Sequence, residues 1–398
     1  MRQSENKSNK LAFIVKDTKT YMNIEEARYR YAKKDDTCLL FAIVPKNIGN
    51  NLSSRLENTI NETLWDEIIW IYSKSNSISA NQKRKKKKNP FYRIFWDIRE
   101  LFYNYSDRKK LDKIASQYQG CKLVISAHKN TQEHLAAELN PNELIMVDSG
   151  HRIFNRLNSD GFIDYTDSYT AHSRLKKYAF KLIDFQLFDR RRTTLFTVYA
   201  DEITTNHKVD KNNFDYQNHL FQSKEVGDEV VWISTPIYSM AKGVRIEDYV
   251  SYINDYKVYL GIESKNLTYI PHPTKETTEE VDFIKNHLKC KVDDRDIPVE
   301  FKIAHAPFLP VKCISPFSSA LVNLNLASKG RIKTLSAWHY EFKYFEIWKN
   351  WRRDVERNPE LKIEFIDLPN CTPLFGINKS KNKLISYKSF KHWENQNY

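Results

Sequence analysis

Four short stretches of this 398-residue chain carry side chains able to do chemistry. The first is "NLTYIPHPTKET", residues 266–277, where a strand-like run stops at His272 between Pro271 and Pro273. Proline disfavours helix in the residue before it, so Ile270 and His272 are both expected to be extended. An imidazole held at a strand end can donate to a phosphate or protonate a departing oxygen near neutral pH. The second stretch is "CISPFSSALVNLNLASKG", residues 313–330: a strand, a turn through Pro316, and a helix opened by Ser318 and Ser319. Serines at a helix start are ordinary N-caps. They can also join the unpaired N–H groups there in gripping a phosphate.

The third stretch, "LIMVDSGHRIFNR" at 144–156, puts Asp148 at the tip of an apolar strand, close to Gly150. A carboxylate beside a glycine that lets a ligand approach can act as a general base. It can equally close an Asx-turn or cap a helix. The fourth is "DIPVEF", in which Glu300 offers two acceptor oxygens to a ribose diol, or else a favourable charge to a helix start. Ser234, at the end of "EVVWIS", is a further candidate for a nucleotide contact, although Ser-Thr at a strand end is also turn chemistry.

The elements that must hold these residues follow from hydrophobic patterning. Runs at 11–15, 38–44, 67–72, 122–126 and 144–147 read as short, continuously apolar strands. Helices are expected between them at 22–33, 52–62, 91–118 and 129–138, and a polar, basic loop at 73–90. Strands apolar on both faces and alternating with helices indicate parallel α/β layers. After residue 200 comes a polar stretch that reads as an inter-domain region, and then a second alternation begins. It comprises strands at 229–234, 267–271, 311–315 and 363–367 and helices at 246–260, 277–288 and 317–327. The expected organisation is two Rossmann-like α/β domains, 1–220 and 221–398, facing across a cleft. Ligands of such sheets sit beyond the carboxyl ends of the strands, the address shared by every candidate above. The strand ending at Ser315 is expected beside the one that ends at His272.

Composition narrows the function. Five cysteines lack the paired spacing of a zinc site, and their odd number without an export signal points to reduced thiols in the cytosol. No apolar run reaches the length of a membrane span. Lys and Arg outnumber Asp and Glu by 63 to 50, a net charge of +13 that suits a polyanionic partner. The densest cationic run, "KRKKKK" at 83–88, with "RRR" at 190–192, suits a peripheral contact with anionic lipid or simply a solvated loop. A nucleic-acid partner is not expected, because neither zinc-finger spacing nor an aromatic RNA-binding motif is present.

Taken in order, Asp148-Ser149-Gly150, the His-Pro of "YIPHPTKETTEEVDFIKNHL", the Pro-x-Glu of "IPVE" and the serines of "PFSSALVNL" resemble motifs of bacterial sialyltransferases. The likeness is to glycosyltransferase family 52, the lipooligosaccharide sialyltransferases, and to the capsule polysialyltransferases. It covers about 229–327 well and 122–156 loosely, and it departs from the family at Ser149, where a second acidic residue is usual. The resemblance implies a GT-B enzyme that moves sialic acid with inversion from CMP-sialic acid to a hydroxyl of an acidic or lipid-linked surface glycan. Asp148 would be the base and His272 the acid, while Ser234, Pro273, Glu300, Ser318 and Ser319 would hold the donor. No cofactor and no obligatory metal are implied, and the enzyme would work at the inner face of the cytoplasmic membrane. Asp294-Arg295-Asp296 has the rival Asp-x-Asp form of metal-dependent transferases. The alternatives are a GT-B transferase using CMP-Kdo or a UDP-hexose, or, from another class, a basic nucleic-acid-binding protein.

Overall fold

The computed structural model describes residues 9–45, 56–73, 90–126, 130–147, 193–201, 203–240, 244–272, 276–295, 297–358, 360–368 and 371–375. Asp148, Gly150, Pro273, Asp296 and the basic segments 83–88 and 190–192 lie outside them. The chain divides into two compact units, Met1–Tyr216 and Gln217–Tyr398.

In the first unit the strands are β1 (Lys10–Val15), β2 (Thr37–Pro45), β3 (Glu67–Ser73), β4 (Lys122–Ile125), β5 (Glu143–Val147), β6 (Thr193–Thr197) and β7 (Lys208–Lys211). They form one sheet in the order β3-β2-β1-β4-β5-β6-β7, every neighbouring pair parallel. The apolar runs predicted as strands are buried on both faces: Phe13, Ile14, Phe41 and Ile43 are all fully inaccessible. Helices must cover both sides of such a sheet, which is what parallel crossovers supply. Asp17 starts the first helix, Thr18–Tyr31, earlier than its apolar pattern suggests, accepting from the Thr20 amide at 3.1 Å and the Thr20 hydroxyl at 3.0 Å.

The second unit repeats the plan with β8 (Val230–Ile233), β9 (Leu267–Ile270), β10 (Lys291–Val292), β11 (Lys312–Ser315), β12 (Lys333–Trp338) and β13 (Ile363–Asp367). Their order, β10-β9-β8-β11-β12-β13, is again wholly parallel. In each unit the chain lays three strands outward in one direction, then returns to the far side of its first strand and builds the other way. That is the doubly wound Rossmann order. Two Rossmann-like units in tandem make up the α/β fold expected from the sequence. The second core is aromatic: Trp232 packs edge-on against Tyr252 at 5.9 Å and Tyr256 at 6.3 Å between ring centroids. The Tyr256 hydroxyl donates to the Trp338 carbonyl at 2.7 Å, joining a helix to β12.

Two readings are corrected. The polar stretch after residue 200 is not wholly inter-domain linker, because it contains β7 and the helix Asp215–Gln222. β7 reads "KVDK", a sheet-edge strand with one aliphatic residue, so hydrophobic periodicity passes over it. β12 and the helix Glu346–Arg357 were likewise not singled out. In β12, Thr334 and Ser336 interrupt the apolar run yet are both fully buried. They are tolerated because each is paired, Thr334 Oγ1 accepting from Asn325 at 2.8 Å and Ser336 donating to the Pro316 carbonyl at 2.8 Å. All five cysteines are buried and unpaired, and burial pushes the Cys121, Cys290 and Cys371 thiols up to about 11. No described helix is long and apolar enough to cross a membrane.

Trp232 is 1% exposed at the centre of the second core. Trp232→Ala should therefore cost about 3–5 kcal/mol, read as a lower urea midpoint by circular dichroism. An unchanged midpoint would mean that this residue does not hold the unit together.

Candidate functional site

The strand order locates the site. In a doubly wound sheet a crevice opens outside the carboxyl ends of the two strands where the order reverses. In the second unit these are β8 and β11. The serine strand β11 pairs with β8, and β8 pairs with the histidine strand β9. The expectation that the serine and histidine strands are neighbours is thus corrected: β8 lies between them. Register puts Ile233 opposite Ile270 and Trp232 opposite Ile314, so all three strands end at one edge of the sheet. Ser234 and Thr235 follow β8 there, His272 follows β9, and Pro316 to Ser318 follow β11. Two strand spacings, about 10 Å, separate the backbones of β9 and β11.

The loop that leaves β11 is held from both sides. Thr235 Oγ1 lies 3.1 Å from the Ser315 hydroxyl and donates to the Phe317 carbonyl at 2.8 Å, bridging the reversal point directly. From β12, Ser336 takes the adjacent Pro316 carbonyl. The Phe317 ring packs on Trp348 with centroids 4.9 Å apart. Ser318 then caps the helix Ser319–Ser328, its Oγ accepting from the Ala320 amide at 3.2 Å. Ser318 is half-buried and Ser319 exposed. The first amides of any helix lack intrahelical acceptors and carry the positive end of its dipole, so this fixed loop aims a helix start into the crevice edge.

At the neighbouring strand tip the organising group is Glu276, which the sequence reading did not single out. Its Oε2 accepts from the His272 amide at 2.5 Å, and its Oε1 accepts from the Tyr238 hydroxyl at 2.9 Å. The Tyr269 hydroxyl lies 2.5 Å from the same Oε1 and 2.8 Å from the Ser234 hydroxyl. It has one proton to give, and the carboxylate is the stronger acceptor. Burial, the largest influence, raises the Glu276 carboxyl above its ordinary 4.5 against the hydrogen bonds it accepts. The carboxylate therefore fixes the backbone of His272, a half-buried residue at the strand tip. Ser234 is 5% exposed and belongs to this network.

The remaining candidates are more scattered. Glu300 lies in the first turn of the helix Val299–His305, where its Oε1 accepts from Asn323 at 2.8 Å, tying it to the second turn of the serine helix. In the Asp-Arg-Asp segment, Arg295 forms a two-point pair with Asp293 at 2.9 and 2.6 Å, while Asp294 is exposed. Among the described residues, Thr235, Ser315, Ser336 and Glu276 complete the edge. For Thr235 and Ser315 the sequence signal is polarity at the tips of apolar strands, and for Ser336 and Glu276 there is none.

No protein-family model and no curated protein sequence matches the chain, so the likeness to family 52 rests on its short motifs alone. Solved structures do match. UGT71G1 of Medicago truncatula, complexed with UDP-glucose, is 11% identical, with 98% of this chain and 94% of that one covered at a TM-score of 0.42. UDP-GlcNAc 2-epimerase from Methanocaldococcus jannaschii is 9% identical, with coverage of 97% and 98% and a TM-score of 0.45. The family 9 glycosyl transferase of Veillonella parvula is 11% identical, with coverage of 90% and 86% and a TM-score of 0.36. At such identities the chemistry has to be read from this chain's own residues.

Removing the shared acceptor tests the network. Glu276→Ala leaves the amide of His272 and the hydroxyls of Tyr238 and Tyr269 without it, at about 1–3 kcal/mol for each orphaned group, measurable by urea unfolding. A pH series adds a signed test. With its folded value raised, ionisation of Glu276 costs the folded unit more than the unfolded chain. Its contribution is complete below pH 4.5 and is lost as pH rises through the folded value. Wild type should lose stability relative to Glu276→Gln across that rise, and a difference that stays flat with pH would refute the assignment.

Proposed function

We propose that the chain is a GT-B glycosyltransferase whose second unit binds a nucleotide sugar at the β8/β11 edge, and that the donor is CMP-sialic acid. The observation carrying this reading is the convergence of His272, Thr235 and the serine-capped helix on one carboxyl edge at the reversal of strand order. The motif resemblance narrows the donor to a cytidine monophosphate sugar and the acceptor to a hydroxyl of an acidic or lipid-linked glycan.

In this reading the bond between the sugar and the phosphate oxygen breaks through an oxocarbenium-like state, and both bonding electrons leave with the nucleotide. Negative charge grows on one phosphate. The start of the helix Ser319–Ser328, with Ser318 and Ser319, stabilises that charge, and His272 gives the phosphate a proton. Asp148, in the first unit, takes the proton of the acceptor hydroxyl as it attacks the opposite face of the sugar, giving inversion. A single phosphate neutralised by an imidazole and a helix dipole does not require a divalent ion, so turnover is expected to survive chelation. Glu300 is assigned to the nucleotide ribose and Pro273 to holding the histidine rotamer.

Thermal unfolding in the presence of nucleotides tests the donor. CMP at a hundredfold excess over its dissociation constant should stabilise the protein by about 2.7 kcal/mol, with UMP and GMP giving none. Stabilisation by UMP instead would move the assignment to a uridine-linked donor, and a response to none of the three would overturn the reading. His272→Ala should lower turnover by about 10²–10⁴-fold with the fold retained. Full activity in that variant would remove the proposed acid.

A further inference from the structure

One helix of the first unit keeps an apolar stripe in water. In Pro90–Ala115, Ile98 is 50% exposed, Phe102 68% and Tyr105 42%. Their spacing of four and then three residues sets them one above another on a single helix face. The opposite face is the packed one, with Asp107, Leu111 and Ala115 buried. The stripe is therefore not part of the core. The next position along it is Lys109, whose Nζ sits 5.1 Å from the centre of the Tyr105 ring. Arg99, beside Ile98, lies over the Tyr103 ring at 5.2 Å, and Lys110 and Lys113 are exposed on the same half of the helix. Asp112 does not offset these charges, because it is already engaged by Arg108 at 3.3 Å and His134 at 2.8 Å. In sequence, "KRKKKK" at 83–88 directly precedes this helix.

We propose that the Ile98–Phe102–Tyr105 stripe is a docking surface for an anionic lipid bilayer, lying in the plane of the interface. Three apolar side chains rimmed by lysine and arginine match what such an interface offers: acyl chains beneath a layer of negative head groups. The helix has too many charges to cross the membrane, and no described helix is long and apolar enough to do so. Charge complementarity selects this occupant over a second copy of the chain. A copy would set lysine against lysine on a molecule of net charge +13, whereas each cation near an anionic surface strengthens binding about fivefold. Docking does not depend on which nucleotide the second unit binds.

Sedimentation of the full chain with vesicles decides the matter. It should bind phosphatidylglycerol–phosphatidylcholine vesicles, bind pure phosphatidylcholine far less, and be released by salt. Ile98→Ser with Phe102→Ser should weaken partitioning about tenfold or more, and Lys109→Gln with Lys113→Gln should do so to a similar degree, with circular dichroism unchanged. Tyr105→Ser alone serves if the double variant folds poorly, since it removes one exposed ring. Equal binding by wild type and stripe variants would overturn the proposal. So would failure of the wild type to bind anionic vesicles, or loss of a dimer in sedimentation velocity with vesicle binding untouched. Nucleotide protection from unfolding should be the same in all of these variants, so failure of the donor assignment and failure of the docking surface are separately visible.

Discussion

A parallel sheet that reverses its strand order must open at the reversal, and in the second unit a single threonine spans the opening. Among the described residues, the two strand tips are held together by their sheet hydrogen bonds and by the side chains that meet beyond them. Thr235 meets the Ser315 hydroxyl and the Phe317 carbonyl there. The loop from Pro316 to Ser318 takes its course from that contact and from Ser336 on the other side. The direction of the serine helix, and thus the aim of its positive end, follows in turn. A flexible loop would have to be ordered by the ligand at an entropic cost, whereas this one is ordered before a ligand arrives.

The histidine tip solves the same problem by a costlier means. A largely buried carboxylate is disfavoured by desolvation, which raises the Glu276 pKa, while the three donors that converge on it act the other way and offset part of that cost. What the arrangement gains is position: the amide of His272 is tied down, so the backbone at this strand tip is held in place. Function and stability are coupled here in one side chain. Glu276 sets where the backbone of His272 can stand.

Much of this was legible in the chain itself. Continuous apolar runs such as "LAFIV" and "CLLFAIV" could only be strands buried on both faces, and their alternation with helices implied parallel sheets. The strand end at His272 and the helix start at the serine pair were legible because proline and serine leave local signatures there. Glu276 left none, since its role depends on Tyr238 and Tyr269 folding back onto it, and Tyr238 is far from it in sequence. β12 was hidden for a related reason: buried Thr334 and Ser336 look like loop residues until their partners Asn325 and Pro316 are in place. The order of β9, β8 and β11 is a property of the whole sheet, and no local pattern encodes which strand lies between two others. Asp148 and Gly150 fall outside the described residues and stay as the sequence motif left them.

The five buried thiols have a practical consequence. With all five cysteines buried and the thiols of Cys121, Cys290 and Cys371 pushed up to about 11, alkylating reagents have little to attack in the folded chain. A cysteine engineered at an exposed position would accept a fluorophore almost alone, with no need to strip the native ones first. One dye on each unit would then turn any rearrangement between them into a change of energy transfer.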